Sequence, residues 1–272
     1  MSGTIVCKIG GSVIDGVDPS IIEDIKNLRS KGYKIVLVHG GGDQVTEIAE
    51  KLGKQQRFVT SPEGIKSRYT DKETAEIFTM VMSGLLAKQI SQTLQKNGVD
   101  CVSLSGIDGG LLRAERKKKL VIVDERGRKV AIEGGYTGKI NNVDTAFLDS
   151  LLSLGLVPIV SPIAASEEWD LLNIDGDRAC SHIAGAMKAE NAVFLTDTEG
   201  LILDGGVVAK MDTAKARSEL PRIGSGMDKK VLAAAEAVEM GTKCSTIASG
   251  VKSHPLENAI AGHGTVIVSV SK

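Results

Sequence analysis

Aromatic side chains are scarce in this 272-residue chain: one Trp, three Tyr and four Phe make up 3% of it. That leaves little material for the stacked aromatic platforms that hold single-stranded nucleic acid. Charge of one sign is lacking too. The 33 Lys and Arg are balanced by 34 Asp and Glu, a formal net charge of −1, so any basic surface must be local. The four cysteines, Cys7, Cys101, Cys180 and Cys244, form no C-x-x-C pair. Three lie in or beside apolar runs and read as small buried hydrophobes of a reducing compartment. No apolar run approaches the ~20 residues needed to span a bilayer. The N-terminus lacks the basic start and apolar core of a signal peptide, and a cytoplasmic location is expected, with no membrane or nucleic-acid partner. Two phosphate-binding signatures are missing, G-x-x-x-x-G-K followed by Ser or Thr and G-x-G-x-x-G, which sets aside P-loop NTPases and ordinary Rossmann dehydrogenases. Long repeats and low-complexity segments are absent as well.

What is present is glycine at the ends of short apolar runs. Ile5-Val6-Cys7-Lys8-Ile9 ends in Gly10-Gly11-Ser12, and Ile35-Val36-Leu37-Val38-His39 ends in Gly40-Gly41-Gly42. Glycines that follow a strand let backbone N–H groups approach an anion closely. Lys8 stands inside the first apolar run, where an ammonium is costly unless something negative meets it. Together these features suggest phosphate chemistry.

Strand and helix patterns alternate along the chain. Strands are expected at residues 4–9, 33–38, 99–104, 157–162, 192–195, 244–248 and 265–270. Helices are expected over 19–31, 43–52, 71–96, 144–154, 178–188, 213–220 and 229–240. Pro19 at a helix start, Gly32 at its stop and Asn97-Gly98 after the long helix punctuate the pattern. Short apolar strands alternating with helices predict an α/β fold with a mainly parallel sheet covered on both faces. Ligands then sit beyond the carboxyl ends of the strands, where the glycine clusters fall. Residues 111–138 differ: they are basic and hold two short runs around Asp124-Glu125-Arg126-Gly127-Arg128, a β-hairpin pattern expected to form a flap on the main sheet.

Few polar residues at strand ends are candidates for chemistry. They are Lys8, Lys230, Asp177 after the Asn173 turn, Arg68, and the donors Gly10, Gly11, Gly41 and Gly42. Each has an ordinary reading: a strand-edge lysine, a helix-start lysine, a helix cap, a surface arginine. His39 reads as a structural hydrogen-bonder with no catalytic role. Their shared position at one sheet edge favours a site over four coincidences.

In order, Lys8-x-Gly10-Gly11-Ser12, Val38-His39-Gly40-Gly41-Gly42, Leu104-Ser105-Gly106-x-Asp108-Gly109-Gly110, Asn173-Ile174-Asp175-Gly176-Asp177, Thr196-Asp197-x-x-Gly200 and Gly226-Met227-x-x-Lys230 resemble the amino acid kinase family, in particular its N-acetylglutamate kinase branch. The resemblance covers nearly the whole chain. It implies one domain over residues 1–272, a three-layer αβα sandwich with an acidic substrate on the N-terminal half and ATP, with Mg²⁺, on the C-terminal half. Carried over residue by residue, it makes Lys8 and Lys230 stabilisers of the transferring phosphoryl group and Asp177 their organiser. Gly10, Gly11 and Gly41 become backbone donors with Gly42 beside them, Arg68 and Asn173 substrate ligands, and Thr196, Asp197 and Gly200 neighbours of the nucleotide. It also implies a homodimer, for which the helix over 71–96 is a candidate interface.

One segment departs from the acetylglutamate enzymes. Their substrate arginine lies in a short Asn-Gly-x-Arg-x-Thr-Asp pattern, whereas here Arg68 lies in the longer Ser61-Pro62-Glu63-Gly64-Ile65-Lys66-Ser67-Arg68-Tyr69-Thr70-Asp71. That form is similar to family members acting on aminoadipate or glutamate joined to a small acidic amino-group carrier protein. Phosphorylation of the carrier-linked side-chain carboxylate is therefore expected, with lysine or arginine biosynthesis as its setting. The basic stretch Arg113, Arg116, Lys117, Lys118 and Lys119, with Arg126, Arg128 and Lys129 beyond it and Lys54, Arg57 and Lys66 able to add to it, is a candidate dock for such a carrier. An N-acetylglutamate kinase is the alternative within the family. A non-catalytic nucleotide- or carrier-binding protein is the alternative outside it, and would be expected to have lost Lys8, Asp177 or Lys230.

Overall fold

Strand β1 (Thr4–Ile9) is buried along nearly its whole length, as an apolar run in a sheet covered on both faces must be. The computed structural model describes residues 3–10, 18–62 and 64–270, so the predicted donor Gly11 lies outside the described residues. Helix α1 (Pro19–Ser30) follows, with Asp18 as its N-cap accepting from the Ser20 amide at 2.8 Å and Pro19 in its first turn. Then come β2 (Lys34–His39), α2 (Gly42–Lys51), β3 (Arg57–Thr60) and β4 (Lys66–Tyr69). Next are α3 (Lys72–Thr79), a π-helical stretch (Met80–Leu86), α4 (Ala87–Lys96), β5 (Cys101–Ser105), β6 (Leu112–Arg116), β7 (Lys119–Val123), β8 (Lys129–Glu133) and β9 (Gly138–Val143). After α5 (Thr145–Ser153) come β10 (Val157–Ser161), β11 (Ile163–Ala165), β12 (Leu171–Asn173), α6 (Gly176–Ala186), β13 (Asn191–Thr196), β14 (Ile202–Leu203), β15 (Gly206–Val207) and β16 (Lys210–Asp212). The chain ends through α7 (Thr213–Glu219), α8 (Met227–Glu239), β17 (Cys244–Ser249), α9 (Pro255–Ile260) and β18 (Thr265–Val268).

Eight strands form the main sheet in the order β16-β18-β17-β13-β1-β2-β10-β5. Every neighbouring pair is parallel except β17 with β18. The mainly parallel αβα sandwich expected from the alternation is thus what forms. Strand alternation sorts the core onto the two faces. Ile5, Cys7 and Ile9 join one apolar cluster with Ile21, Ile25 and Leu256, while Val6, Val36, Val38 and Phe194 join another with Ile183, Ala234 and Val238. Lys8 has the parity of Val6, so its side chain belongs to the face covered by α6 and α8. Cys7, Cys101 and Cys180 are buried free thiols and Cys244 is half-buried. Burial pushes the Cys7 thiol up to about 12, which keeps it protonated.

The structure differs from the expectations at five points. The basic hairpin β7–β8 forms as predicted but is not a flap on the main sheet. It belongs to a separate four-stranded sheet, β4-β3-β7-β8, whose other half is the hairpin carrying Arg68. That second hairpin is missed in the sequence because most residues of its strands are polar or exposed, which masks a period of two. A further four-stranded sheet, β12-β11-β6-β9, is likewise built from strands too short or too polar to announce themselves. The helix expected over 71–96 starts as predicted, Asp71 accepting from the Thr74 amide at 2.8 Å, but is interrupted by the π-helical stretch. That stretch lies against Gly41: a Cβ built there falls 2.1 Å from Leu86 Cδ1 and 3.1 Å from Met82 Sδ. Lastly, α6 begins at Gly176, and its N-cap is Asp175, not Asp177.

Candidate active site

The register of the sheet and the cap of one helix bring the central residues together. Lys8 is the penultimate residue of β1, paired in register with Val38 on β2 and Phe194 on β13. Asp175 caps α6 by accepting from the Asp177 and Arg178 amides at 3.0 and 3.2 Å. That leaves Asp177, in the first turn of α6, free to point its carboxylate elsewhere. Lys230 lies in the first turn of α8, which packs beside α6. The Lys8 ammonium lies 3.1 Å from Asp177 Oδ1, and Lys230 Nζ donates to Asp177 Oδ2 at 3.2 Å.

Lys8 and Asp177 are only 8% and 5% exposed, which makes the charges decisive. Burial alone would raise the Asp177 carboxyl, but Lys8 and then Lys230 outweigh it and hold it below the ordinary range. Burial likewise works against the Lys8 ammonium, and Asp177 more than compensates, so its pKa is raised. Two ammoniums therefore share one carboxylate. The triad carries a residual charge of about +1 in a site of low dielectric, an arrangement suited to a further anion.

Backbone donors surround that charge. Gly10 follows β1 directly, and Gly40 donates its amide to the Ile9 carbonyl at 2.9 Å, joining the two strand ends. Gly41 takes φ +141° as the N-cap of α2, a conformation that strains any other residue, and Gly42 opens the helix. The first amides of α2 are thereby left without intrahelical partners, as at any helix start that attracts an anion. Gly176 approaches from the other side: a Cβ there would sit 3.7 Å from Lys8 Cε.

His39 holds this corner together, as expected of a structural histidine. It is fully buried, with Nδ1 2.9 Å from the Gly40 carbonyl and Nε2 2.9 Å from Ser161 Oγ. A carbonyl only accepts, so Nδ1 carries the proton and Nε2 accepts from the Ser161 hydroxyl. Burial, with a smaller push from Lys8, lowers its pKa to about 4.

Arg68 and Asn173 meet at a second corner. Arg68 projects from β4 and donates through Nη2 to the Gly42 carbonyl at 2.6 Å and Thr46 Oγ1 at 2.9 Å, and through Nη1 to Gln56 Oε1. Among the described residues no carboxylate forms an ion pair with it, and burial pulls its pKa down. Asn173 Nδ2 donates to Thr70 Oγ1 at 2.9 Å, and the Thr70 hydroxyl lies 3.4 Å from the Arg68 carbonyl. Phe58 stands beside Arg68, its ring 5.0 Å from the guanidinium and 44% exposed.

Thr196 closes β13, next to the glycine end of β1, and its hydroxyl donates to Asp197 Oδ1 at 3.0 Å. Gly200 has a packing reason of its own: at φ +154° its missing Cβ would lie 2.8 Å from Thr265 Oγ1. A cavity between Glu199, Ser249, Lys252, Asn258 and Gly264 opens beside this loop, not at the lysine pair. Most of the predicted residues that are described lie at or just beyond the carboxyl ends of main-sheet strands, while Arg68 and Asn173 come from β4 and β12 of the two small sheets. Three contributors escaped the sequence reading: Asp175, Phe58 and Lys229, whose Nζ donates to the Lys66 backbone carbonyl. Only Asp175 had a legible signal, an acidic residue two before Asp177 at a helix start.

Three comparisons bear on what such a site does. The sequence profile of the amino acid kinase family matches residues 3–249. A protein of Cenarchaeum symbiosum is 56% identical over 264 residues, covering 97% of this chain and 98% of its own length; it bears, provisionally, the name LysW-aminoadipate/LysW-glutamate kinase. One from Saccharolobus solfataricus, named outright as that kinase, is 46% identical over 266 residues, 97% of this chain and 99% of its own. In shape, an N-acetylglutamate synthase from Neisseria gonorrhoeae superposes with a TM-score of 0.81 at 24% identity, over 99% of this chain and 60% of that one.

The His39 pKa carries a pH dependence. The ring is neutral when folded and titrates near 6.5 when unfolded, so its contribution is intact above about pH 6.5 and is lost as pH falls toward about 4. In denaturant unfolding at pH 7 and 4.5, the wild type should lose roughly 2–3 kcal/mol more than His39→Gln.

Proposed function

The chain belongs to the amino acid kinase family, and we propose that it transfers the γ-phosphoryl group of ATP to the side-chain carboxylate of aminoadipate or glutamate carried on a LysW-type amino-group carrier protein. The observation that carries this reading is the buried lysine pair on one aspartate, in a chain 46–56% identical over nearly full length to proteins bearing that kinase name. A substrate carboxylate with a pKa of ~4.3 is already ionised at neutral pH, so no general base is required. The obstacle is one anion attacking another, and the protein answers it with placed positive charge and backbone donors.

We assign the parts as follows. Lys8 and Lys230 flank the phosphoryl group in flight, and Asp177 fixes their ammoniums without neutralising both. The amides at Gly10, Gly41 and Gly42 face phosphate and substrate, with Gly11 completing the loop. Arg68 and Asn173 hold the substrate's α-carboxylate and its amide link: among the described residues the Arg68 guanidinium is hydrogen-bonded but forms no ion pair with a carboxylate, and Asn173 connects to the same strand through Thr70. Thr196, Asp197 and Gly200 line the nucleotide's side. Mg²⁺ fits as an ion carried by the nucleotide phosphates: Asp177 is occupied by two lysines, and the ion supplies charge neutralisation there. The N-terminal half then binds the acidic substrate and the C-terminal half ATP, within a single domain.

The basic cluster narrows when its partners are counted. Arg113 stacks on Trp169 at 3.6 Å, Arg116 pairs with Asp170, Arg128 with Asp124, and Lys54 with Asp71 and Glu73. Lys117, Lys118, Lys119, Arg126 and Lys129 remain exposed and, among the described residues, without an ion-pair partner. Lys117–Lys119 lead into the hairpin that shares a sheet with the Arg68 hairpin, which favours them as the carrier's dock. A homodimer is proposed along the helical run over 72–96, where Met80 and Leu85 are exposed apolar residues at 58% and 42%. We place the protein in the cytoplasm, in lysine or arginine biosynthesis. Among the described residues no helix is long and apolar enough to cross a membrane.

Lys8→Ala and Lys230→Ala should each lower kcat by about 100-fold or more while circular dichroism stays native; near-normal kcat in both rejects the assignment. Charge reversal at Lys117–Lys119 should raise KM for carrier-linked glutamate about tenfold or more and leave free N-acetylglutamate unaffected. Better turnover of the free acetylated compound by the wild type would make this an acetylglutamate kinase. Sedimentation should give a dimer, and Met80→Glu with Leu85→Glu a monomer; a wild-type monomer ends that proposal.

A further inference from the structure

We propose that Lys229 is a positioning residue that latches the substrate hairpin to the start of α8, so that Arg68 and Lys230 are placed from one rigid turn; this rests on the kinase reading above. The hairpin needs such a restraint. Strands β3 and β4 pair with each other over four residues each, and β3 joins the rest of its sheet at a single register pair, Thr60 with Val123. Neither strand belongs to the main sheet. By strand alternation Phe58, Thr60, Lys66 and Arg68 share one face. The Lys66 ammonium and the Arg68 guanidinium both flank the Phe58 ring, at 5.3 and 5.0 Å, so the three side chains form one stacked unit.

Lys229 reaches that unit from the opposite half of the chain. Its Nζ donates to the Lys66 backbone carbonyl, 163 residues away in sequence and two residues from Arg68. Among the described residues no carboxylate forms an ion pair with Lys229, so a flexible ammonium is committed to a neutral carbonyl. The turn it springs from is fixed. Gly226 adopts φ +95° as the N-cap of α8, and Asp228 Oδ1 accepts from both the Gly226 and the Lys229 amides at 2.8 Å. Successive helix residues project about 100° apart. Lys229 therefore addresses the hairpin while Lys230, the next residue, addresses Asp177. One helical turn sets the distance between the group that fixes the acceptor and the group that meets the phosphoryl. Lys229 touches neither reactant in this scheme; it acts through the hairpin.

The test compares Lys229→Ala and Lys229→Arg in the full-length protein. Lys229→Ala should raise KM for the carrier-linked substrate about tenfold, leave KM for ATP within about twofold and leave the thermal midpoint unchanged, because one charge-assisted hydrogen bond is removed. Lys229→Arg, which keeps a long donor, should recover most of the loss. Unchanged KM for the acceptor, or equal changes in both KM values, overturns the latch. A second measurement needs no substrate: hydrogen exchange of the nucleotide-free protein. The β4 amides should exchange about tenfold faster in Lys229→Ala while those of residues 231–238 are unaffected. Identical β4 exchange overturns the latch whatever the protein phosphorylates. A wild type inactive on carrier-linked substrates with altered β4 exchange in the variant rejects the kinase reading and keeps the latch.

Discussion

Two lysines closing on one buried aspartate is the constraint around which this molecule is arranged. Each charge alone would be costly where it sits. Removing Asp177 leaves two ammoniums uncompensated, a loss of about 3–5 kcal/mol when a buried pair is broken, whereas removing either lysine leaves the other paired with the carboxylate. The three come from β1, α6 and α8, which are far apart in sequence. Their meeting requires that β1 be central in the sheet, that α6 start where Asp175 caps it, and that α8 pack alongside α6. The residual positive charge that survives this arrangement is the functional property, because an anion entering the site completes the neutralisation.

In the proposed function, the remaining structure brings an acceptor to that charge. Glycine appears where a side chain would obstruct: at Gly41, pressed against the π-helical stretch, and at Gly176, close to the stem of Lys8. His39 ties the end of β2 to β10 through Ser161, and being neutral it adds no competing charge beside Lys8. The small sheet of two hairpins stands outside the main sandwich and holds Arg68 over the first amides of α2. An arginine so placed is stacked, hydrogen-bonded and still short of a carboxylate, which suits it to an acidic substrate. In the proposed function, the lysines leading into the far hairpin of the same sheet would let one element recognise both the small group and whatever bears it.

Much of this is legible in the sequence, and the failures have physical causes. Seven strands of the main sheet coincide with expected short runs, and their mostly parallel packing follows from the helices between them, whereas β16, Lys-Met-Asp, is too short and polar to be read. The small sheets are half exposed, and in strands such as Lys66–Tyr69 polar residues occupy both faces, which erases the alternation. The break in the long helix is marked in the sequence only by Ser83-Gly84, and the π-helical stretch packs against Gly41 and the end of β10. Asp177 read equally well as a helix cap until the structure gave that task to Asp175.

What the sequence determined by itself is the class of chemistry. A lysine inside an apolar strand and two glycine-ended strands suggest phosphate chemistry, because a buried ammonium is costly unless an anion meets it, and the ordered motifs resemble the amino acid kinase family, which implies phosphoryl transfer on an αβα sandwich. Which charges touch, which basic residues are already paired, and that Lys229 spans the site to the hairpin of Arg68 were decided by tertiary structure alone. Lys229 and Lys66 are 163 positions apart and Lys230 and Asp177 are 53 apart, relations set by register and helix packing that no local pattern encodes.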